Sequence, residues 1–322
     1  MHIPDNYLSP STCAIFGSAM LPIWTIAIKK IKKELSPQKL PVLGIFSAFS
    51  FLLMMLNIPL PGGTTGHAVG ATLIAILIGP FAACISMTIA LFVQAVFFGD
   101  GGILTFGVNS FNMAFVMPFS GYYIYRLLKN LNGNSRKGNL ASIFIASYVS
   151  INIAAFIAAI QFGIQPLLFK DASGLPLYAP YPLSISIPAM MIPHLLITGL
   201  IEAIVAMGVY SYINKLSPEI IYGNKPNRLK PVYAMLILMA ILSPLGLLAS
   251  GTAWGEWGNQ ELKKMLGYIP SGVAKGFSFN SIMPGYVLPS IGNQTVAYVI
   301  CAILGLSIIL ISFKFVASYI QK

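Results

Sequence analysis

Apolar residues run along this chain in long blocks separated by short polar breaks. Most blocks are long enough to be helices crossing the roughly 30 Å hydrocarbon core of a bilayer. They lie at 14 to 28, 40 to 58, 110 to 128, 140 to 161, 185 to 213, 232 to 250 and 296 to 318. Another, 68 to 98, is too long for one ordinary crossing and is interrupted by Gly79 and Pro80. Proline removes a backbone donor and disfavours helix in the residue before it, so this block is predicted to be a hairpin of two short helices.

The basic residues then set the threading, because Lys and Arg collect in cytoplasmic loops. They cluster as Lys29, Lys30, Lys32, Lys33 and Lys39; as Arg126, Lys129, Arg136 and Lys137; as Lys215, Lys225, Arg228 and Lys230; and as Lys314 and Lys322. With 68 to 98 counted as two crossings, all four clusters fall on one side. Lys170, Lys263, Lys264 and Lys275 fall on the other, beside Asp5, Asp100, Asp171, Glu256 and Glu261. The expected fold is an all-α membrane protein of about nine transmembrane helices, with the N-terminus outside and the C-terminus cytoplasmic.

Composition agrees: 57% of residues are hydrophobic and 8% charged, against about 25% charged in a soluble domain. The net charge of +11 is first a topology signal and second an attraction to anionic inner-leaflet lipid. A basic soluble face interleaved with aromatics is missing, so nucleic acid is not an expected partner. Cys13, Cys84 and Cys301 form neither a CxxC spacing nor a disulfide framework.

The candidate chemistry begins at the first two residues. The Met1 amine, the His2 amide nitrogen and the His2 imidazole lie close enough along the chain for a metal to close fused chelate rings around them. Three adjacent nitrogens favouring a plane leave a fourth corner empty, and tetragonal nitrogen-rich geometry suits Ni(II) or Cu(II). This chemistry needs an unprocessed terminus. A signal peptide carries its basic residues before its apolar stretch, whereas here the basic run follows it. The first helix is therefore expected to stay uncleaved. The bulky His2 is expected to keep Met1 in place, and deformylation to leave a free amine.

The threading brings His67 to the same face. It ends the loop PLPGGTTGH, Pro59 to His67, where Gly62, Gly63 and Gly66 permit tight backbone paths. Thr64 and Thr65 can hydrogen-bond the loop to itself or to an imidazole. Gln94, Asn109 and Asn112 are expected near this site, where they would orient His67 through its other N–H. Asp100, among glycines 99 to 102, reads as a turn residue. His194 and Glu202, two turns apart within one crossing, read as interhelical hydrogen-bonding groups.

Three ordered stretches carry a family resemblance: MHIPDNYLSP from Met1, PGGTTGHAVGATLIAILIGP from Pro61 and FFGDGGILTFGVNSFNMA from Phe97. Together they resemble the nickel/cobalt substrate-binding component (NikM/CbiM type) of energy-coupling-factor (ECF) transporters, over roughly residues 1 to 215. The resemblance implies a metal site built from the Met1 amine, the His2 amide and imidazole, and His67. It also implies a core like that of the vitamin-binding S components, with one extra N-terminal helix. Asn6 stands where the family usually has Gly; Asn tolerates a left-handed turn.

Residues 232 to 322 resemble the small NikN/PDGLE-type accessory component: two helices with a large outer loop, joined through a cytoplasmic linker, 216 to 231. Trp254, Glu256 and Trp257 in that loop read either as an interfacial aromatic belt or as a lid over the metal loop. Gly44 and Ala48, a small-xxx-small pair in the second helix, are expected to contact a transmembrane coupling subunit.

Energy supply separates the function classes. The chain has no GxxxxGK[ST] loop to cradle nucleotide phosphates, so ATP-driven transport requires cytoplasmic ATP-binding partners. An ion-coupled secondary metal transporter would more often carry several membrane carboxylates, and Glu202 is the main one offered. An intramembrane hydrolase would need an HExxH-type helix, which is missing. The expected function is capture of Ni2+, or alternatively Co2+, as transported substrate at the outer face, with no catalysis and no nucleotide bound by this chain.

Overall fold

The structure, a computed structural model, describes residues 2–34, 39–61, 63–133, 135–222, 228–249 and 251–320. Apolar blocks become helices in the expected order: α1 (Pro10–Glu34), α2 (Leu40–Met55), then a ribbon of β1 (Ile58–Leu60) and β2 (Thr64–Gly66), then α3 (Ala71–Ile78) and α4 (Pro80–Val93). A π-turn, Gln94–Phe98, extends α4. Helix α5 (Phe106–Ser110), the π-turn Phe111–Val116 and α6 (Met117–Asn132) run on as one helix over 106–132. Next come α7 (Arg136–Gly163), the single turn α8 (Gln165–Leu168), and α9 (Leu183–Pro193) joined to α10 (Gly199–Leu216) through the π-turn His194–Thr198. The chain closes with α11 (Glu219–Tyr222), α12 (Lys230–Leu242), the short α13 (Asn259–Leu266) and α14 (Ser271–Ala274), and α15 (Gln294–Ile320).

Six stretches among the described residues are long and apolar enough to cross a membrane: Pro10–Glu34, Pro80–Phe98, Arg136–Leu168, Leu183–Leu216, Lys230–Leu248 and Gln294–Phe315. The break at residues 79 and 80 falls as predicted. Gly79 takes φ 90°, and Pro80 sits in the first turn of α4, where its missing N–H costs nothing. The two arms are unequal, however. α3 has eight residues, about 12 Å of rise, and the buried irregular stretch from His67 to Gly70 precedes it inside the bundle.

The purely helical expectation misses the ribbon. Its strands pair antiparallel, with Ile58 opposite Gly66 and Leu60 opposite Thr64. The turn between them includes Gly63 at φ 77°, a region that glycine enters without steric cost.

Helix α2 is the axis of the core. It is largely apolar all round and buried from Val42 to Met55, with Ser47 and Ser50 as its buried polar residues. α12 and α15 pack against it, so the last third of the chain lies on the same core as the rest. A Cβ on Gly44 would stand 3.1 Å from Phe313 of α15, and Ala48 is fully buried. The close approach anticipated from this small-residue pair is therefore made within the chain. Gly44 also lines an open groove with Pro41, Tyr233 and Lys314. The expected linker, 216 to 231, folds back on itself: Ser217 donates to the Arg228 carbonyl at 2.6 Å, and Glu219 accepts from the Arg228 N–H at 2.7 Å.

Candidate metal centre

The segment before α1 is bound to the bundle residue by residue. Asn109 of α5 grips the backbone of Ile3 at both ends, accepting its N–H at 2.9 Å and donating to its carbonyl at 3.0 Å. Thr105 donates to the same carbonyl at 2.5 Å. The Asp5 carboxylate accepts from the N–H groups of Ile103, Leu104 and Thr105 at the start of α5, where a helix favours negative charge. Asn6 turns the chain at φ 68°, the left-handed conformation expected of it. With residues 3, 5 and 6 fixed, His2 has little freedom to move.

His67 approaches from the ribbon. Two residues past it, the chain enters the bundle and α3 begins at Gly70, whose φ of 77° and close approach to the Phe49 ring exclude a side chain. The N–H groups at this helix start would be orphans in hydrocarbon. Glu202 of α10, fully buried, takes them: its carboxylate accepts from Val69 at 2.7 Å and from Gly70 at 3.0 Å. Ser50 of α2 donates to the Val69 carbonyl at 2.6 Å. Glu202 thus bonds between elements as expected, whereas His194 bonds within its own helix, Nδ1 to the Met190 carbonyl at 2.7 Å.

The two imidazoles meet, with ring centroids 5.1 Å apart and planes 36° from parallel. His67 Nδ1 lies 3.1 Å from the Ala68 carbonyl, a contact it can make only as an N–H donor, so its Nε2 carries the lone pair. His2 Nδ1 is 3.2 Å from the Asp100 carboxylate, and His2 Nε2 is buried without a hydrogen-bond partner among the described residues. Burial lowers the His2 pKa, with Asp100 opposing, and holds His67 well below the usual imidazole value. Both shifts favour the neutral imidazole, the form a metal ligand must take.

Asp100 is the centre's least legible member. Beyond His2 it accepts from Gln94 at 3.0 Å and from the Tyr286 hydroxyl at 2.6 Å. Burial, reinforced by this carboxylate, keeps the Tyr286 phenol protonated. Nothing local in the glycine-rich loop signals this role; Tyr286 lies 186 residues away.

The other sequence-chosen residues divide. Gln94 reaches Asp100 and Tyr286, and Asn109 holds Ile3; neither touches His67. Asn112 exchanges two hydrogen bonds with Gln161, away from the site. Thr64 Oγ1 is buried without a partner among the described residues. Met1 lies outside the described residues.

The long loop of the last third covers this centre. Ala253 forms a parallel bridge to Thr65, and a side chain on Gly251 would run into the Gly63 carbonyl. Trp254 packs edge-on against Phe162, Trp257 against Tyr181, and the Tyr7 hydroxyl donates to the Trp257 carbonyl. These tryptophans are half-buried and clasped between elements. Farther on, Asn6 exchanges two hydrogen bonds with the Phe277 backbone, and the Met283 N–H donates to the Phe97 carbonyl. Between cover and bundle remains a cavity of about 660 Å³ lined by His2, His67, Asp100, Glu256 and Tyr286. Burial raises the Glu256 carboxyl to about 7. Among the described residues, no three His, Cys, Asp or Glu side chains are grouped to hold a metal.

Comparison with known proteins adds an independent line. Residues 2–220 match the family described as CbiM, cobalt uptake substrate-specific transmembrane region, and residues 230–322 match the PDGLE domain. The chain is 46% identical over 320 residues to the "Probable fused nickel transport protein LarMN" of Lactiplantibacillus plantarum, covering 97% of this chain and 96% of that one. It is 40% identical over 329 residues to the "Fused nickel transport protein NikMN" of Rhodobacter capsulatus, covering 96% and 95%. A crystal structure described as a transition metal transporter superposes with a TM-score of 0.64 at 53% identity, covering 69% of this chain and 96% of that one.

Proposed function

Because the chain belongs to the CbiM family of metal-uptake transmembrane proteins and carries a PDGLE domain behind it, we propose that it captures Ni2+ from outside the membrane through nitrogen ligands at its amino terminus. Membership makes it a multi-pass membrane subunit of nickel or cobalt transport and not an enzyme. The metal site, its orientation and its energy source are our reading.

The observation that carries this reading is the meeting of His2 and His67. Two buried imidazoles from distant segments face one cavity, and His67 presents the Nε2 lone pair. Side chains alone do not complete a cage there, so the remaining donors come from the Met1 amine and the His2 amide. Four nitrogens in a plane, one of them a deprotonated amide, suit low-spin d⁸ Ni(II). In such a chelate His2 binds through Nδ1, the nitrogen nearest its own amide. Its ring then turns to offer Nε2–H to Asp100, the carboxylate–imidazole–metal arrangement that fixes ligand orientation. Thr64, Gln94 and Asn109 support this shell, Gln94 through Asp100 and Asn109 through Ile3. Glu256 gives an arriving dication a carboxylate on the way in.

Residues 1–215 act as the substrate-binding module and 232–322 as the cover, joined by 216–231. The chain makes nine crossings, with the N-terminus outside and the C-terminus cytoplasmic. A transmembrane coupling subunit and cytoplasmic ATPases of an ECF-type importer supply the energy, since this chain has no phosphate-binding loop. Cobalt is the second reading, favoured by the family's description as a cobalt uptake region.

One inserted glycine between Met1 and His2 changes the chelate ring sizes without touching the bundle. Purified protein with a mass-verified terminus is expected to carry about one nickel per chain as a yellow, diamagnetic complex, and the insertion variant to carry little. Equal nickel in both proteins would refute the site.

A further inference from the structure

At the end of the bundle where Lys and Arg gather, α6, α7 and α10 line an open, solvent-facing cavity of about 720 Å³. Lys129, Arg136 and Lys215 line it, with Asn139, Asn214 and the buried Tyr210. No Asp or Glu is among its lining residues. Among the described residues, the ion pairs are His2 with Asp100 and Lys30 with Glu34, so none of these three cations is neutralised by a carboxylate.

Asn139 is set to donate into the cavity, while the Ser211 hydroxyl donates to the Met207 carbonyl. The Tyr125 hydroxyl donates to Asn139 Oδ1 at 2.7 Å, which leaves the Asn139 amide hydrogens for another acceptor. Arg136 opens α7, a helix of 28 residues with no acidic residue in its first turn. Its positive end adds to the field of the cations instead of balancing it. The side preference of Lys and Arg explains why cations lie at this end. It does not explain why three of them face one cavity without a counter-charge.

We propose that this cavity binds a phosphate-bearing anion, and that the anion is the headgroup of an acidic phospholipid. Arg and Lys together recognise phosphate well, Arg by its paired N–H fork and Lys as a point charge. The rim favours the lipid as the source: Leu127, Leu131 and Leu216 are exposed on the neighbouring turns, giving acyl chains apolar surface beside the headgroup. Basic pockets between membrane helices commonly hold such headgroups. The inference is independent of the metal centre.

The test is native mass spectrometry of the full-length protein titrated with dioleoyl phosphatidylglycerol or dioleoyl phosphatidylcholine, with thermal unfolding in inorganic phosphate as a parallel arm. The variant Lys129→Gln, Arg136→Gln, Lys215→Gln is compared with a charge-matched control, Lys29→Gln, Lys33→Gln, Lys230→Gln. Monodispersity and helical circular dichroism establish that both are folded. Wild type and control are expected to retain phosphatidylglycerol at least about five-fold better than phosphatidylcholine, and the cavity variant to lose that preference. Equal retention by the cavity variant, or an equal loss in the control, overturns the site. Stabilisation by inorganic phosphate equal to that by phosphatidylglycerol, abolished only in the cavity variant, overturns the lipid as its source. Unchanged lipid retention with loss of binding to a cytoplasmic partner would assign the cations to an acidic protein segment and overturn the proposal.

Discussion

His67 and His194 are both buried histidines, yet their partners give them opposite prospects. His67 spends Nδ1 on its own loop and faces the cavity with Nε2, whereas His194 spends Nδ1 on the preceding turn of its helix. Replacing His67 by Ala is expected to weaken nickel binding by on the order of 100-fold or more, since it removes a ligand where loss of an outer partner alone costs roughly 10–100-fold. His194→Ala is expected to bind as wild type; isothermal titration of the two side by side checks both. At this scale the sequence was readable where chemistry is local. Asn6 at a left-handed turn is a property of a few adjacent residues. Asp100 was not readable, because its three partners, His2, Gln94 and Tyr286, converge only through tertiary packing.

Among the elements, α3 is the one that could not stand alone. Eight residues make a marginal helix, and its start lies inside the bundle, where unpaired N–H groups cost about 1–3 kcal/mol each. Glu202 caps it and so fixes the backbone two and three residues beyond His67. Glu202→Gln keeps an acceptor of similar shape but gives up the charge that roughly doubles such bonds. It is expected to weaken nickel binding by about 10-fold and to speed amide exchange at Val69 and Gly70, with exchange elsewhere in α10 unchanged; an unaltered exchange pattern would show that Glu202 does not hold the loop. The sequence announced an intramembrane carboxylate and the helix break at Gly79 and Pro80. It could not announce the partner of that carboxylate, which is main chain, nor the ribbon, whose strands are three residues each. Gly44 and Ala48 teach the same lesson: spacing predicts a close approach, and only the fold says to what.

For the whole molecule, the decisive feature is that the last third of the chain closes over the first residues. Gly251 lies so near the Gly63 carbonyl that a side chain would force the cover away. Gly251→Val is expected to leave the helices intact, to expose 251–293 to limited proteolysis, and to speed nickel dissociation several-fold, measured by chelator competition. Proteolysis and dissociation rates matching wild type would mean that the cover plays no part in retention. The apolar blocks and the break at Gly79 and Pro80 were legible because span length and proline sterics are local properties. The docking of the loop over 251–293 obeys no such rule, and Trp254 and Trp257 looked equally suited to a lipid interface.

That closure has a consequence in time. Asn6 meets Phe277 across 271 residues and Tyr7 meets Trp257 across 250, so the beginning of the protein leaves the ribosome long before its final neighbours exist. At 5–20 residues per second, the delay is on the order of half a minute. Throughout that interval the nascent first residues have no cover. The last contacts around Asn6 and Tyr7 form only when residues 257 to 277 have been made, so the segment before α1 is among the last parts of the fold to be completed.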